Sequence, residues 1–231
     1  MITIRKSNAR GNTKTEWLNS FHTFSFADYY DEKYPEFGTL RVINEDTVQP
    51  GMGFGMHPHR DMEIITYVVE GELEHKDSMG TGSVIKPGEI QKMSAGKGVR
   101  HSEFNHSKNN VLHLLQIWIM PNKMAIPPAY EQQKIPTHQL NEFIIIGSPQ
   151  GGEHAVTIHQ DVLLYVAYLT TDTMIDYKIK NHRKVWLQVV KGQLKIANLT
   201  IEQGDGVAIE NETRLSIKVL NNSEVLLFDI A

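Results

Sequence analysis

The apolar positions of this chain fall in short runs and alternations, each cut off by a glycine or proline turn, with little sustained helical period. Glu63-Ile64-Ile65-Thr66-Tyr67-Val68-Val69 is rich in β-branched and aromatic residues and stops at Glu70-Gly71. That pattern predicts a strand, with Glu72 to His75 as the return strand of a hairpin. His113 to Ile119 is too apolar to have a wet face and is expected at the centre of a sheet. Turn signals recur at Met79-Gly80, Pro87-Gly88 and Gly96-Lys97-Gly98, a spacing suited to a sandwich or barrel. Only Asn12 to Asn19 and Pro128 to Gln133 read as short helices.

The second half repeats the plan of the first. Val68-Val69-Glu70-Gly71-Glu72-Leu73 is echoed by Val189-Val190-Lys191-Gly192-Gln193-Leu194, an offset of 121 residues. Ile85 to Ile90 is echoed by Ile201 to Gly206, and the strand from His113 to Ile119 by Val225 to Asp229. Three echoes in the same order predict duplication of one β-barrel unit. The expected division is a first barrel over residues 1–125, a connecting segment over 126–149 and a second barrel over 150–231. At 231 residues, composition alone leaves one large β unit or two smaller ones open, so the echoes decide.

Net charge is −4, from 23 basic and 27 acidic residues well mixed along the chain. No basic stripe of the kind that direct nucleic-acid binding needs is present. There are no cysteines, which removes disulfides, thiolate nucleophiles and thiolate metal ligands. No signal-peptide core and no apolar stretch of membrane-spanning length is seen, so a cytoplasmic protein that binds no membrane is expected.

Eleven histidines shift attention to metals. In a strand, residues i and i+2 share a face, so His57-Pro58-His59 offers two imidazoles about 6–7 Å apart along the strand. Pro58 cannot donate to a sheet ladder, which places the pair at a rim or bulge. His101-Ser102-Glu103 repeats the geometry with one imidazole and one carboxylate. Facing each other in a small barrel, the two pairs converge three nitrogens and one oxygen, a set suited to Fe, Mn, Ni, Cu or Zn. Gly51, Gly53 and Gly55 before the first pair, and Gly96 and Gly98 before the second, are expected to let backbone approach the site closely. At the 121-residue offset His57, His59 and Glu63 fall on Lys178, Lys180 and Lys184, so the second barrel is expected to hold no metal. His154, His159 and His182, without paired spacing, read as structural or solvent-facing, and Met52, Met56, Met62, Met79 and Met93 as core filling. Phe21 to Phe26 either covers the mouth of the barrel or packs as an edge strand, with packing expected; Arg60, Asp61 and Arg100 either orient the site or point outward.

These motifs resemble a known superfamily. Gly51 to Gly71, carrying His57, His59 and Glu63, is similar to the first cupin motif, and Gly98-(two residues)-His101-(three residues)-Asn105 to the end of the second. More specifically, His57-Pro58-His59-Arg60-Asp61-Met62-Glu63, Met93 to Glu103, Trp17 to Ala27, Leu40 to Asn44 and Leu114 to Trp118 closely resemble the pirin family. The resemblance implies an all-β bicupin, two double-stranded β-helix (jelly-roll) barrels in one chain. It implies one divalent transition metal, Fe(II) first, in the N-terminal barrel on His57, His59, His101 and Glu103, with Zn, Mn, Ni or Cu as alternatives. Glu63, a ligand in many other cupins, is expected just behind the ligands.

The implied activity is that of a quercetin 2,3-dioxygenase-like oxidoreductase, which opens the 2,3-bond of a flavonol with dioxygen. Glu103 would then also be catalytic, accepting the flavonol's hydroxyl proton. A monomer is expected, since the two halves bury each other's faces. The rival reading is a non-enzymatic, metal- or redox-sensing regulator that binds a protein partner. A third is a cupin isomerase or sugar-processing enzyme with a non-redox metal.

Overall fold

The computed structural model describes residues 1–231, all but one 3₁₀ turn at Ser7–Ala9 in strands and their connections. The first half runs β1 (Ile2–Arg5), β2 (Gly11–Lys14), β3 (Leu18–His22), β4 (Leu40–Val48), β5 (Gly53–His59) and β6 (Glu63–Glu70). It continues with β7 (Leu73–Asp77), β8 (Gly82–Ile85), β9 (Glu89–Ser94), β10 (Val99–Asn105), β11 (Leu112–Ile119) and β12 (Ala129–Lys134). The second half comprises β13 (Ile144–Ser148), β14 (Val156–Thr157), β15 (Val162–Leu169), β16 (Met174–Lys178), β17 (Lys184–Ile196), β18 (Leu199–Glu202), β19 (Gly206–Ile209) and β20 (Arg214–Ile230).

The first barrel closes a seven-stranded sheet, β12-β9-β6-β11-β4-β3-β2, against a four-stranded one, β5-β10-β7-β8. β6 is buried along nearly its whole length and β11 lies between β6 and β4, as their continuous apolar runs require. The second barrel is a single sheet, β1-β19-β17-β20-β15-β13-β14, with β16 on β20 and β18 on β17. Here the long strands β17 and β20 each do the work of two strands of the first barrel, bending at bulges. The duplication is visible in backbone angles. Gly71 and Gly192 have φ of 83° and 89°, and Gly88 and Gly204 both have 81°, values that L side chains rarely adopt. The chain is thus the expected all-β bicupin.

Strand pairings cross the sequence divisions. β1 pairs antiparallel with β19 of the second barrel, and β12, in the connecting segment, pairs with β9 of the first. A core of 25 buried residues runs through both barrels, with Trp186 at 4.8 Å from Phe24 and 5.4 Å from Phe37 between ring centroids. The Tyr67 hydroxyl donates to Glu224 Oε1 at 2.5 Å and lies 3.2 Å from that of Tyr168, tying the barrels at a second point.

The two expected helices are strands. Asn12 to Asn19 is the turn of the β2–β3 hairpin, in which Thr13 faces Ser20 and Lys14 faces Asn19. Pro128 to Gln133 belongs to β12, an edge strand on β9 whose polar residues sit half-buried. Neither segment has an apolar stripe to bury as a helix, whereas each completes a ladder as a strand.

Candidate metal centre

β5 and β10 lie side by side with His57 directly opposite His101 and a register shift between His101 and Glu103. Alternation does the rest. His101, Glu103 and Asn105 are buried, with Arg100 before them and Phe104 among them exposed and Ser102 covered at the register shift; His57 and His59 are half-buried while Met56 and Pro58 are exposed. β5 is the outer strand of its sheet, where Pro58 leaves no inner ladder bond unmade.

The three imidazoles crowd one point, with ring centroids 4.5 Å (His57–His101), 4.8 Å (His57–His59) and 4.9 Å (His59–His101) apart. One nitrogen from each lies within 4.8 Å of the others. His57 Nδ1 is 2.8 Å from the Gly55 carbonyl, which fixes that nitrogen as the donor and turns Nε2 to the cluster. His101 is 1% exposed, yet neither ring nitrogen has a partner. Burial, then the neighbouring His57 and His75, push its pKa down to about 3; burial, then His101 and His57, push that of His59 to about 4. Neutral imidazoles with unclaimed lone pairs, packed this closely, fit a transition-metal ion.

Glu103 lines the same cleft. By nitrogen–oxygen spacing it groups with His101 and His75 rather than with His57 and His59. Its carboxylate is held from across the barrel: Gln116 Nε2 donates to Oε2 at 2.7 Å, and Thr66 Oγ1 to Oε1 at 3.2 Å. His75, fully buried, pairs through Nε2 with Asp77 at 3.1 Å and leaves Nδ1 unpartnered toward this group.

The cleft holds about 660 Å³ of empty space when its open mouth is counted. One wall carries the histidines and Glu103; the facing sheet contributes Ser20, His22, Asn44, Asp46, Gln116 and Trp118. Leu18, Phe26 and Phe54 add apolar surface, and Trp118 stands edge-on to His59 at 5.0 Å. His22 and Phe26 therefore line the cleft as well as packing. Asn44, Asp46 and Gln116 escaped the sequence reading. Their signal was a polar residue repeated at i, i+2 inside an apolar strand (Val42, Asn44, Asp46, Val48) and a lone Gln in β11.

Other expectations are corrected. Glu63 does not stand behind the ligands: its carboxylate meets Ser94 at 3.1 Å, His159 at 3.2 Å and Lys92 at 3.9 Å, outside the residues that line the cleft. Met52, Met56 and Met79 are exposed, because they sit on the outer face of the barrel and its turns; of that set Met93 is fully buried. Arg60 and Arg100 point outward, Arg60 to Asp61 and Arg100 to the Met56 carbonyl. Of the five glycines expected to allow close approach, two do so: a Cβ on Gly53 would sit 2.2 Å from the Glu103 carbonyl oxygen, and one on Gly96 2.0 Å from that of Ile126. Around Gly51, Gly55 and Gly98 there is open space.

The profile of the family described as Pirin matches residues 3–119, more than half the chain, and that of the quercetinase C-terminal cupin domain matches residues 145–230. The chain belongs to the pirin family. It is 48% identical over 230 residues to the quercetin 2,3-dioxygenase of Escherichia coli K12, covering 100% of this chain and 99% of that one. A putative quercetin 2,3-dioxygenase of Pasteurella multocida is 43% identical over 234 residues, covering both chains fully. A bacterial pirin of Escherichia coli, YhhW, solved in complex with nickel(II), superposes with a TM-score of 0.95 at 47% identity, covering 100% of this chain and 99% of that chain. Hazelnut vicilin, at 12% identity and a TM-score of 0.69 over 98% of this chain and 85% of that chain, shares the fold alone. For this pirin, membership and the orphaned imidazoles agree that the first barrel is built to bind a divalent metal.

The second barrel has no counterpart of the site. Leu194 holds the place of Leu73, so the pair Leu194–Val219 matches Leu73–Asn105 and the positions of His101 and Glu103 become Leu215 and Ile217. Both are buried in a cluster of 17 apolar residues.

Proposed function

We propose that this pirin is an Fe(II)-dependent dioxygenase that opens the 2,3-bond of a flavonol such as quercetin, with His57, His59, His101 and Glu103 holding the metal. The carrying observation is His101: a buried imidazole with both nitrogens unpartnered, on a cleft it shares with two more. An isolated imidazole so placed costs stability, and a metal ion removes that cost. Bound there, the metal supplies Lewis-acid and redox activation of a chelating enol and dioxygen. Both atoms of dioxygen enter the product, the C2–C3 and C3–C4 bonds break, and C3 leaves as carbon monoxide.

The residues account for the rest. Glu103 accepts the proton of the flavonol 3-hydroxyl, and the donors from Gln116 and Thr66 hold its carboxylate in place as it does so. Phe26, Phe54, Trp118 and Leu18 cover planar rings and keep water from them. The relatives' activity supports the substrate class, and the absence of Lys and Arg from the lining suits a phenol rather than a phosphate or carboxylate.

The test is oxygen uptake and carbon monoxide release by anaerobically iron-loaded protein given quercetin. The double variant His57→Ala/His101→Ala serves as control. Metal-dependent uptake lost in the control is expected, as is retention of metal with loss of turnover in Glu103→Gln. No uptake with iron confirmed bound sinks the assignment and leaves a regulator that binds a protein partner; full turnover in Glu103→Gln removes the proton role.

A further inference from the structure

Across the cleft from the metal ligands stands a carboxyl group that the proposed chemistry does not use. Asp46 lies on β4, opposite Ser20 of β3 and Leu114 of β11, and its side chain joins the wall of the cleft. It is 4% exposed, and its Oδ1 is buried with no hydrogen-bond partner. No Lys or Arg lines the cleft to neutralise it.

Its neighbours are already committed. His22 is bonded on both ring nitrogens, to Asn44 Oδ1 at 2.9 Å and Thr13 Oγ1 at 2.9 Å, and Gln116 is taken by Glu103. Glu45, next in the chain, faces the other side of β4 and pairs with Arg10 and His113. Ser20, opposite Asp46 on β3, is a hydrogen-bond neighbour of its carboxyl, yet Oδ1 remains an acceptor that the protein leaves open at the cleft wall. An unpaired buried acceptor costs about 1–3 kcal/mol, recovered only when a donor arrives. Burial also drives its pKa up to about 7, against the opposing pull of the Ser20 hydroxyl.

We propose that Asp46 is a specificity-determining residue that accepts a hydrogen bond from a hydroxyl on the part of the substrate remote from its metal-chelating oxygens. The inference rests on the flavonol reading and narrows it: the preferred substrate is a flat polyphenol with a free hydroxyl at its far end. A site built to bond a hydroxyl rejects the analogue that lacks it far more strongly than an apolar pocket rejects an extra one, because the unpaired acceptor stays buried.

The experiment compares binding, not turnover. Dissociation constants for quercetin and for 3-hydroxyflavone, which keeps the chelating oxygens and lacks every other hydroxyl, are measured anaerobically by calorimetry. Wild type, Asp46→Leu and Asp46→Asn are each loaded with nickel(II), with metal content checked. Wild type should prefer quercetin by roughly 10- to 100-fold. Asp46→Leu should bring the ratio near one through loss of quercetin affinity, with 3-hydroxyflavone binding within about threefold of wild type. Asp46→Asn, which keeps an acceptor, should retain part of the preference and guards against misfolding of the leucine variant. An unchanged preference in Asp46→Leu, or equal weakening of both ligands, overturns the role of Asp46 alone. Failure of wild type to bind either flavonol overturns the flavonol reading and this inference with it.

Discussion

Asp46→Asn has a consequence for stability that is independent of any ligand. Burial lifts the carboxyl from its ordinary 3.8 to about 7; the Ser20 hydroxyl is the next influence and lowers it, Glu103 and Glu45 raise it, and His113 lowers it. A folded-state pKa above the unfolded one means the native state holds the proton longer. Stability is therefore unaffected by Asp46 below about pH 4, falls as pH rises from about 4 to about 7, and levels off above that. The full difference amounts to at most about 4 kcal/mol at ~1.4 kcal/mol per pH unit. Relaxation and water entry reduce it; about 2 kcal/mol is a reasonable expectation. Asparagine has the same shape and no charge to desolvate, so the variant should be more stable than wild type, and increasingly so with pH. For a chain of this size about 2 kcal/mol raises Tm by ~4–8 °C. Urea melts of both metal-free proteins from pH 4 to pH 8 supply the comparison. His59 and His101, with lowered pKa values, act in the opposite sense: their contribution is lost as pH falls from about 6.5 to about 4 for His59 and to about 3 for His101. They cancel in the difference between the two proteins. A gap that stays constant with pH, or a variant less stable than wild type at pH 8, refutes the argument that burial holds this carboxyl protonated.

Three further outcomes follow from packing. Gly53→Ala forces a methyl to 2.2 Å from the Glu103 carbonyl oxygen and 2.5 Å from Phe104 Cα, so β5 must leave β10; equilibrium dialysis should show metal binding lost while far-UV circular dichroism is retained. Gln116→Leu leaves the Glu103 carboxylate with Thr66 alone, and metal affinity measured by chelator competition should fall about 10-fold or more. Trp186→Ala opens a hole between the barrels beside Phe24 and Phe37 and should cost about 3–5 kcal/mol in urea unfolding, with metal content unchanged in the folded protein.

The sequence carried the strands wherever burial was one-sided or complete, because alternation and apolar runs are local signals. It failed at Asn12 to Asn19 and Pro128 to Gln133, where polar residues make strands only because β4 and β9 offer a ladder to complete. His57, His59 and His101 were legible because ligands two apart in a strand must share a face. Glu63 was misplaced because the motif fixes its spacing in the chain but not which partner reaches it; Lys92 of β9 and His159 of the loop after β14 hold it outside the cleft lining. The polar wall of Ser20, Asn44, Asp46 and Gln116 is invisible one strand at a time. It exists only once Ser20 pairs with Asp46, and Asn44 with Gln116, across three strands.

The comparison of the two barrels shows that the buried polar set is not a requirement of the fold. Both barrels turn at matching glycines, and the second closes without a buried imidazole or carboxylate at the matching places, so the fold does not need them. In the second barrel Leu215 and Ile217 fill the places of His101 and Glu103 and bury apolar surface worth about 1.5–3 kcal/mol each. In the first barrel the same places carry unpartnered nitrogens and a carboxylate, across the cleft from Asp46, whose Oδ1 has no partner. Nothing in the strands or turns requires that set, and apolar residues occupy the matching places next door. Its persistence beside an open cleft is what a site kept for a metal and for a hydroxyl-bearing ligand should look like.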